Sequence, residues 1–258
     1  MAADPLIVVT VSRTTGSVPR EVGAWMAVAP DGIQGTVGGG HLEFDAIARA
    51  RAALAGGKLA EEVRYPLGPS LGQCCGGVVW LRFERVAAGE HLAGRLPRPP
   101  LRPLALFGAG HVGVAIARIA RDLPLALHWI DSRDNQFPEE PPARGWRQEV
   151  CDPPADAVDD IAPGSAVLIM SHNHAEDFDI VAACLKRQRE RGDLAFIGMI
   201  GSRTKWASFR QRLAARGFGE AEQARVVCPI GMPGVAGKQP AVIAVAVLAQ
   251  ILALPVSA

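Results

Sequence analysis

The sequence predicts an α/β protein of two unlike halves, a smaller N-terminal α+β domain and a C-terminal parallel sheet covered by helices. Three observations predict it. Residues 94–103 read Gly-Arg-Leu-Pro-Arg-Pro-Pro-Leu-Arg-Pro, a run poor in backbone donors that favours extended chain, so a linker is expected between 1–93 and 104–258. Beyond it, short apolar runs alternate with helical patterns, as parallel strands joined by crossover helices do. Before it, strand-like segments surround a single helix-like stretch.

In chain order, Leu6–Val11 and Trp25–Ala29 read as strands around a turn-rich loop, and Pro30-Asp31-Gly32 marks a turn. Leu42–Leu54 reads as an alanine-rich helix stopped by Gly56-Gly57, and Val63–Tyr65 and Val78–Phe83 read as strands. In the second half, strands are expected at Leu104–Phe107, Ala126–Ile130, Ala166–Met170 and Leu194–Ile200. Helices are expected at Val112–Leu123, Asp177–Arg191, Lys205–Arg216 and Val242–Leu252. Pro138, Pro141 and Pro142 leave little room for a helix between the second strand and Val150.

Composition narrows the function. Lysine and arginine number 27 against 26 acids, a net charge of +1, which gives no general attraction to nucleic acid or an anionic membrane. An anionic ligand must therefore be held by local geometry. The apolar run Ala241–Val256, interrupted by Gln250, is shorter than the roughly 20 residues of a membrane span and reads as a buried helix. The start, Met1–Asp4, lacks the basic residues of a signal peptide. The five cysteines, with Cys74 and Cys75 adjacent, fit neither a secreted disulfide framework nor a zinc site. A soluble, reduced, cytoplasmic protein is expected.

Gly108-Ala109-Gly110-His111-Val112-Gly113 follows a predicted strand and opens a predicted helix, the context in which G-x-G-x-x-G signifies a Rossmann-like domain. Gly108 permits the tight turn, Gly110 lets a diphosphate approach the backbone, Gly113 allows close helix packing, and the helix start supplies free N–H groups. Asp131 ends the next strand where a ribose acceptor is expected, and Arg133 nearby would suit a 2′-phosphate. The competing reading is that these glycines serve only helix–strand packing. Ser171-His172 and Gly201-Ser202-Arg203 follow the next two predicted strands and should converge with the loop. Ser202, Thr204 and Asp177 read first as helix N-caps. His172 and Ser202 are also retained as candidate cofactor-facing residues. His172, His174, Glu176, Asp177 and Asp179 together suggest a metal, but acids at a helix start complement its dipole without one.

In the first half, Arg13–Glu21 includes Gly16-Ser17-Val18-Pro19-Arg20-Glu21, and Gly35–Glu43 includes Gly38-Gly39-Gly40-His41. Three glycines before a helix can present N–H groups to an oxyanion, with Arg20 adding charge; a sharp turn explains them almost as well. Cys75 before Gly76-Gly77 would be an unobstructed thiol, or a small buried hydrophobe.

With these motifs in order, the sequence resembles the xanthine dehydrogenase accessory family (XdhC/CoxI). The resemblance rests on GSVPRE, GTVGGGHLE, CGG, FGAGHVG, SHNHAEDFD, FIGMIGSRTK and CPIGMPGVAGKQPAVIA, and the last points to the xanthine dehydrogenase branch. It implies an accessory protein in purine catabolism, not a catalyst, that binds molybdenum cofactor (molybdopterin). It also implies protection of the cofactor while a cysteine desulfurase installs its sulfido ligand, and delivery to apo-xanthine dehydrogenase. The candidate cofactor-facing residues are Arg20, Gly38, Gly39, Gly40, His41, Cys75, Gly76, Gly108, Gly110, Gly113, Asp131, His172 and Ser202, with Cys75 the candidate molybdenum contact. Only the cysteine next to Gly-Gly belongs to the family pattern, so Cys74 has no implied role. The alternative is an NAD(P)-dependent oxidoreductase, which the glycine loop and Asp131 support by themselves and which leaves the first half unexplained. Homo-oligomerisation is left open.

Overall fold

The structure, a computed structural model, describes residues 5–68, 76–87, 100–139 and 143–255. The chain divides into two compact units, Met1–Arg98 and Pro99–Ala258.

The first unit contains β1 (Leu6–Thr15), β2 (Trp25–Val28), β3 (Ile33–Gly35), α1 (Gly40–Leu54), β4 (Glu62–Pro66) and β5 (Val78–Val86). Its antiparallel sheet has the order β3-β2-β1-β5-β4. Alternation along β1 turns Ile7, Val9 and Val11 to one face, where they meet Leu81 and Phe83 of β5 and the buried Leu42, Ala46, Ala50 and Ala53 of α1. Small alanines on that helix face let it lie close to the sheet. A register shift between Val11 and Arg13 lets β1 run on to Thr15, four residues beyond the expected end. β3 was not foreseen: its three exposed residues carry no alternation, and they are held by pairing of Ile33 with Val28 and Gly35 with Met26.

The second unit contains β6 (Arg102–Phe107), α2 (His111–Ala120), β7 (Leu125–Asp131), β8 (Arg147–Val150), a 3₁₀ segment (Pro154–Asp160), β9 (Ala166–Ile169), α3 (His174–Glu190), β10 (Phe196–Met199), α4 (Arg203–Ala215), α5 (Glu220–Gln223), β11 (Val226–Val227) and α6 (Pro240–Leu252). The sheet is parallel in every pairing and ordered β11-β10-β9-β6-β7-β8. The central strands are buried on both faces, which is why Leu104–Phe107 and Ala166–Ile169 read as unbroken apolar runs. On one face Phe107, Val167 and Ile169 pack with Phe178, Val181 and Leu185 of α3; on the other Leu106 and Leu168 pack with Ile116 of α2 and Val247 and Ile251 of α6. Arg102 and Pro103, expected in the linker, belong to β6, and Arg102 donates to the carbonyls of Ile251 and Leu254.

Among the described residues no helix joins β7 to β8, in keeping with the prolines there. Arg187 of α3 is 2% exposed and fully engaged: it makes two bonds to Asp193 at 2.8 and 2.7 Å and donates to the carbonyls of Val158 and Ile161. It ties the 3₁₀ segment to the end of α3. Among the described residues no helix is long and apolar enough to cross a membrane.

From β6 the chain passes through α2 to β7 on one side, whereas β9 pairs with β6 on the other. The direction of winding therefore reverses between β6 and β9. In an open parallel sheet, a ligand crevice forms at that reversal, outside the carboxyl ends of the strands.

Candidate functional site

The glycine loop lies at that point. A Cβ on Gly108, whose φ is +116°, would sit 2.1 Å from the Met170 carbonyl oxygen and 3.1 Å from the Ser171 nitrogen. The end of β6 therefore touches the end of β9. A Cβ on Gly113 would sit 2.1 Å from the Gly108 carbonyl oxygen, which also accepts the Trp129 indole N–H at 3.0 Å. Gly108 and Gly113 are thus required by packing. Gly110 is not: it is exposed, its φ of −75° suits any residue, and a Cβ there would meet nothing within 4 Å. The fold does not demand a glycine at 110, whereas a ligand approaching the backbone at the start of α2 would.

Asp131 is 3% exposed, and its position at the end of β7 fits the expectation, but its partners are internal. Oδ2 accepts the Ala109 N–H at 2.7 Å, and the Arg133 guanidinium makes two bonds to the carboxylate at 2.9 and 3.0 Å. The Arg133 N–H adds a third at 3.0 Å. Burial pushes this carboxyl up, but the bonds from Arg133 and Ala109 outweigh it and hold the pKa below the usual aspartate range. In this arrangement Asp131 braces the glycine loop and offers no free oxygen to a ribose.

Beyond β9 and β10 opens a cleft of about 330 Å³, lined by Ser171, His172, Asn173, His174, Asp177, Ile200, Gly201, Ser202 and Lys205. The two expected strand-end segments do converge here; Gly108–Gly110 do not line this cleft but reach its edge through the contact with Ser171. Ser202 caps α4 by accepting the Lys205 N–H at 3.0 Å. Asp177 and Thr204 are not caps. Asn173 caps α3, accepting the Glu176 N–H at 2.9 Å, because the helix starts one turn earlier than expected. Asp177, 2% exposed, instead accepts the Ser171 N–H and hydroxyl at 2.8 Å and pairs with the Lys205 ammonium at 2.5 Å. This pair joins the SHNHAEDFD and FIGMIGSRTK segments. Lys205 was not singled out from the sequence, although a lysine in the first turn of a helix, where the dipole disfavours cations, is a readable signal. Cys228 of the CPIGMPG segment also lies here, 3.3 Å from where a Cβ on Gly201 would stand; burial pushes its thiol pKa up.

His172 shares Glu176 across one helical turn at 3.2 Å, and Glu176 also accepts the Ser132 hydroxyl at 2.9 Å. Asp179 pairs with Arg216 at 3.1 Å. The carboxylates of the suspected metal group are therefore engaged separately, and no such cluster forms among the described residues.

In the first unit, packing brings the motifs together. A Cβ on Gly38 would sit 2.5 Å from Pro19, and one on Gly77 would sit 2.2 Å from the Ser17 carbonyl oxygen. Segment 16–21 thus neighbours both 35–43 and 76–77. The expected oxyanion at the glycine run is supplied from within. Glu43, in the first turn of α1, places Oε2 3.0 Å from the Val37 N–H, 3.2 Å from the Gly39 N–H and 2.5 Å from the Thr36 hydroxyl. Positive φ at Gly38 and Gly39 turns those donors inward. Burial raises the Glu43 pKa, yet these bonds prevail and lower it. Arg20 pairs with Glu21 at 3.0 Å and reaches the Thr36 carbonyl at 3.4 Å. Gly40 opens α1 with a φ of +62°, and His41 beside it is exposed. Around Gly39 and Gly76 an added Cβ would meet nothing within 4 Å. Cys74 and Cys75 lie outside the described residues.

Two family models match the chain. One described as the XdhC Rossmann domain covers residues 104–251, and one described as the XdhC and CoxI family covers residues 1–66. An uncharacterised protein of Escherichia coli K12, YqeB, is 29% identical over 96% of this chain, and this chain spans 43% of that protein's length. A solved structure from Bacillus halodurans, described as a xanthine dehydrogenase, matches with a TM-score of 0.74 at 22% identity, covering 96% of this chain and 91% of that one. At that identity the likeness is one of fold.

Proposed function

The chain belongs to the XdhC and CoxI family, and from that premise we propose that it binds molybdenum cofactor and hands it to apo-xanthine dehydrogenase. Family membership supports a role in xanthine dehydrogenase maturation. The finer reading is that the chain shelters the cofactor while a cysteine desulfurase renews its terminal sulfur, and that it catalyses no turnover itself. The carrying observation is Gly110: exposed, unstrained and unrequired by packing, at the winding reversal of the sheet.

The residues fit a ligand with a phosphate and a planar polar ring. Gly110 leaves the backbone at the start of α2 open to an anion, and Ser171, His172, Asn173 and Ser202 offer hydroxyl, imidazole and amide groups around a concave site. In the first unit, a Cβ on Gly39 or on Gly76 would meet nothing within 4 Å, and His41 is exposed. When bound, the cofactor supplies the molybdenum chemistry that the client enzyme uses; the chain's part is to hold and release it. The dinucleotide alternative keeps the glycine loop but loses the second of its two supports, because Asp131 is committed to Arg133 and Ala109.

Pterin release tests the proposal. Protein purified from cells that make the cofactor is denatured and oxidised, and pterin fluorescence is measured. Pterin in proportion to the chain is expected. Tight binding of NAD(P) with no pterin would overturn the reading in favour of an oxidoreductase.

A further inference from the structure

A histidine interrupts one inward line of β7. Alternation puts Ala126, His128 and Ile130 on the same side of the strand, and Ile130 joins the apolar core shared with α3 and the 3₁₀ segment. His128 stands where an aliphatic residue would serve that core, and its side chain is only 11% exposed. β8 supplies its partner: Glu149 Oε2 lies 2.6 Å from His128 Nε2 and 2.9 Å from Arg147 Nη2. An oxygen that accepts from a guanidinium accepts from the imidazole as well, so Nε2 carries the proton.

Burial pushes the His128 pKa down more than Glu149 raises it, so the ring is uncharged at neutral pH. Its Nδ1 is then a lone-pair acceptor, and it has no partner among the described residues. This ring lines a cleft of about 250 Å³ at the amino ends of the strands, the end of the sheet opposite the glycine loop. Pro103, Ala126 and Trp146 give the cleft apolar surface, and its polar groups are mostly acceptors. Asp160, at the end of the 3₁₀ segment, is exposed and has no partner among the described residues. Ser165 spends its hydroxyl proton on the Ala162 carbonyl at 2.6 Å, so toward a ligand its oxygen can only accept. Arg147, the cation of this lining, is paired with Glu149 and leaves Asp160 unanswered.

We propose that this cleft is a second binding site, which takes a planar heterocycle through a donor edge made of a ring N–H and an adjacent amino group. Asp160 and His128 Nδ1 accept those donors, and the apolar surface receives the faces of the ring. A spare carboxylate and a spare imidazole acceptor, with no spare acid to match them on the ligand side, favour an amino-bearing ring over an anion. Guanine and pterin both present such an edge. The site lies at the other end of the sheet from Gly110 and does not depend on what binds there.

The test titrates the full-length chain with guanosine and, separately, with pterin, while the imidazole ¹⁵N resonances are followed by NMR. Inosine, which keeps the ring system and ribose of guanosine but lacks the amino group, is the control. A hydrogen bond to Nδ1 should move the His128 acceptor nitrogen, which is assigned by its loss in His128→Gln. Removing one charge-assisted contact should weaken binding by roughly tenfold or more, both for inosine against guanosine and for guanosine or pterin on Asp160→Asn. Asp160 is exposed and unpaired among the described residues, so Asp160→Asn keeps the fold and decides the outcome even if His128→Gln does not fold. Saturable binding of guanosine alone identifies a nucleobase site and of pterin alone a pteridine site, and either supports the proposal when Asp160→Asn weakens it. Absence of a saturable shift with both compounds, or affinity unchanged in Asp160→Asn, overturns it.

Discussion

Replacing each loop glycine of the second unit by alanine should separate packing from ligand access. At Gly108, alanine must adopt a φ of +116° and places a methyl 2.1 Å from the Met170 carbonyl oxygen. Left-handed strain costs about 1–3 kcal/mol and overpacking about as much again, a total of roughly 2–6 kcal/mol. Gly113→Ala carries no such strain, but its methyl falls 2.1 Å from the Gly108 carbonyl oxygen, on backbone that β6 and β9 hold in place, so a loss of about 1–3 kcal/mol is expected. Gly110→Ala meets nothing within 4 Å and keeps an ordinary φ, so it should cost only about 0.5–1 kcal/mol, the difference between glycine and alanine at a helix N-cap. Thermal unfolding checks the order, since each kcal/mol shifts the midpoint by about 2–4 °C in a domain of this size. Cofactor retention is then measured on folded Gly110→Ala and Gly110→Val. A stable protein with weakened retention is expected, more severely for valine. Destabilisation of Gly110→Ala equal to that of Gly108→Ala would refute the packing distinction, and full retention in Gly110→Val would refute the ligand role.

Arg187→Met should be severely destabilising, by about 3–5 kcal/mol, because it strands the Val158 and Ile161 carbonyls and leaves Asp193 without its cation; urea denaturation measures it. Glu43→Gln should lose about 1–2 kcal/mol at neutral pH, discounted for the partial exposure of the site. The folded Glu43 pKa is lowered, so its stabilisation is present above the ordinary glutamate pKa and fades as pH falls through the folded value. The gap between parent and Glu43→Gln should therefore close on acidification, and a gap independent of pH would contradict the assignment.

The parallel sheet was legible because its central strands are apolar on both faces and end in turn-forming residues, as at Leu104–Phe107 followed by Gly108. β8 and β11 were not, since each lies at a sheet edge, and exposed residues such as Arg147 and Gln148 show no pattern; pairing with β7 and β10 creates them. The site divides the same way. Gly110 and the strand ends could be placed from a motif and its spacing, whereas what Asp131 and Glu43 bind depends on which nearby donors the fold turns toward them. Two glycine runs that read alike consequently differ. In the first unit, the inward N–H groups of Val37 and Gly39 are already answered by Glu43, so an incoming anion must displace a bound carboxylate. At the start of α2 no side-chain oxygen caps the helix beside Gly110. An anionic group of the ligand meets less competition there, and Glu43→Gln, which keeps an amide oxygen in the nest, should leave cofactor retention unchanged; a changed retention would place the anion in the first-unit nest instead.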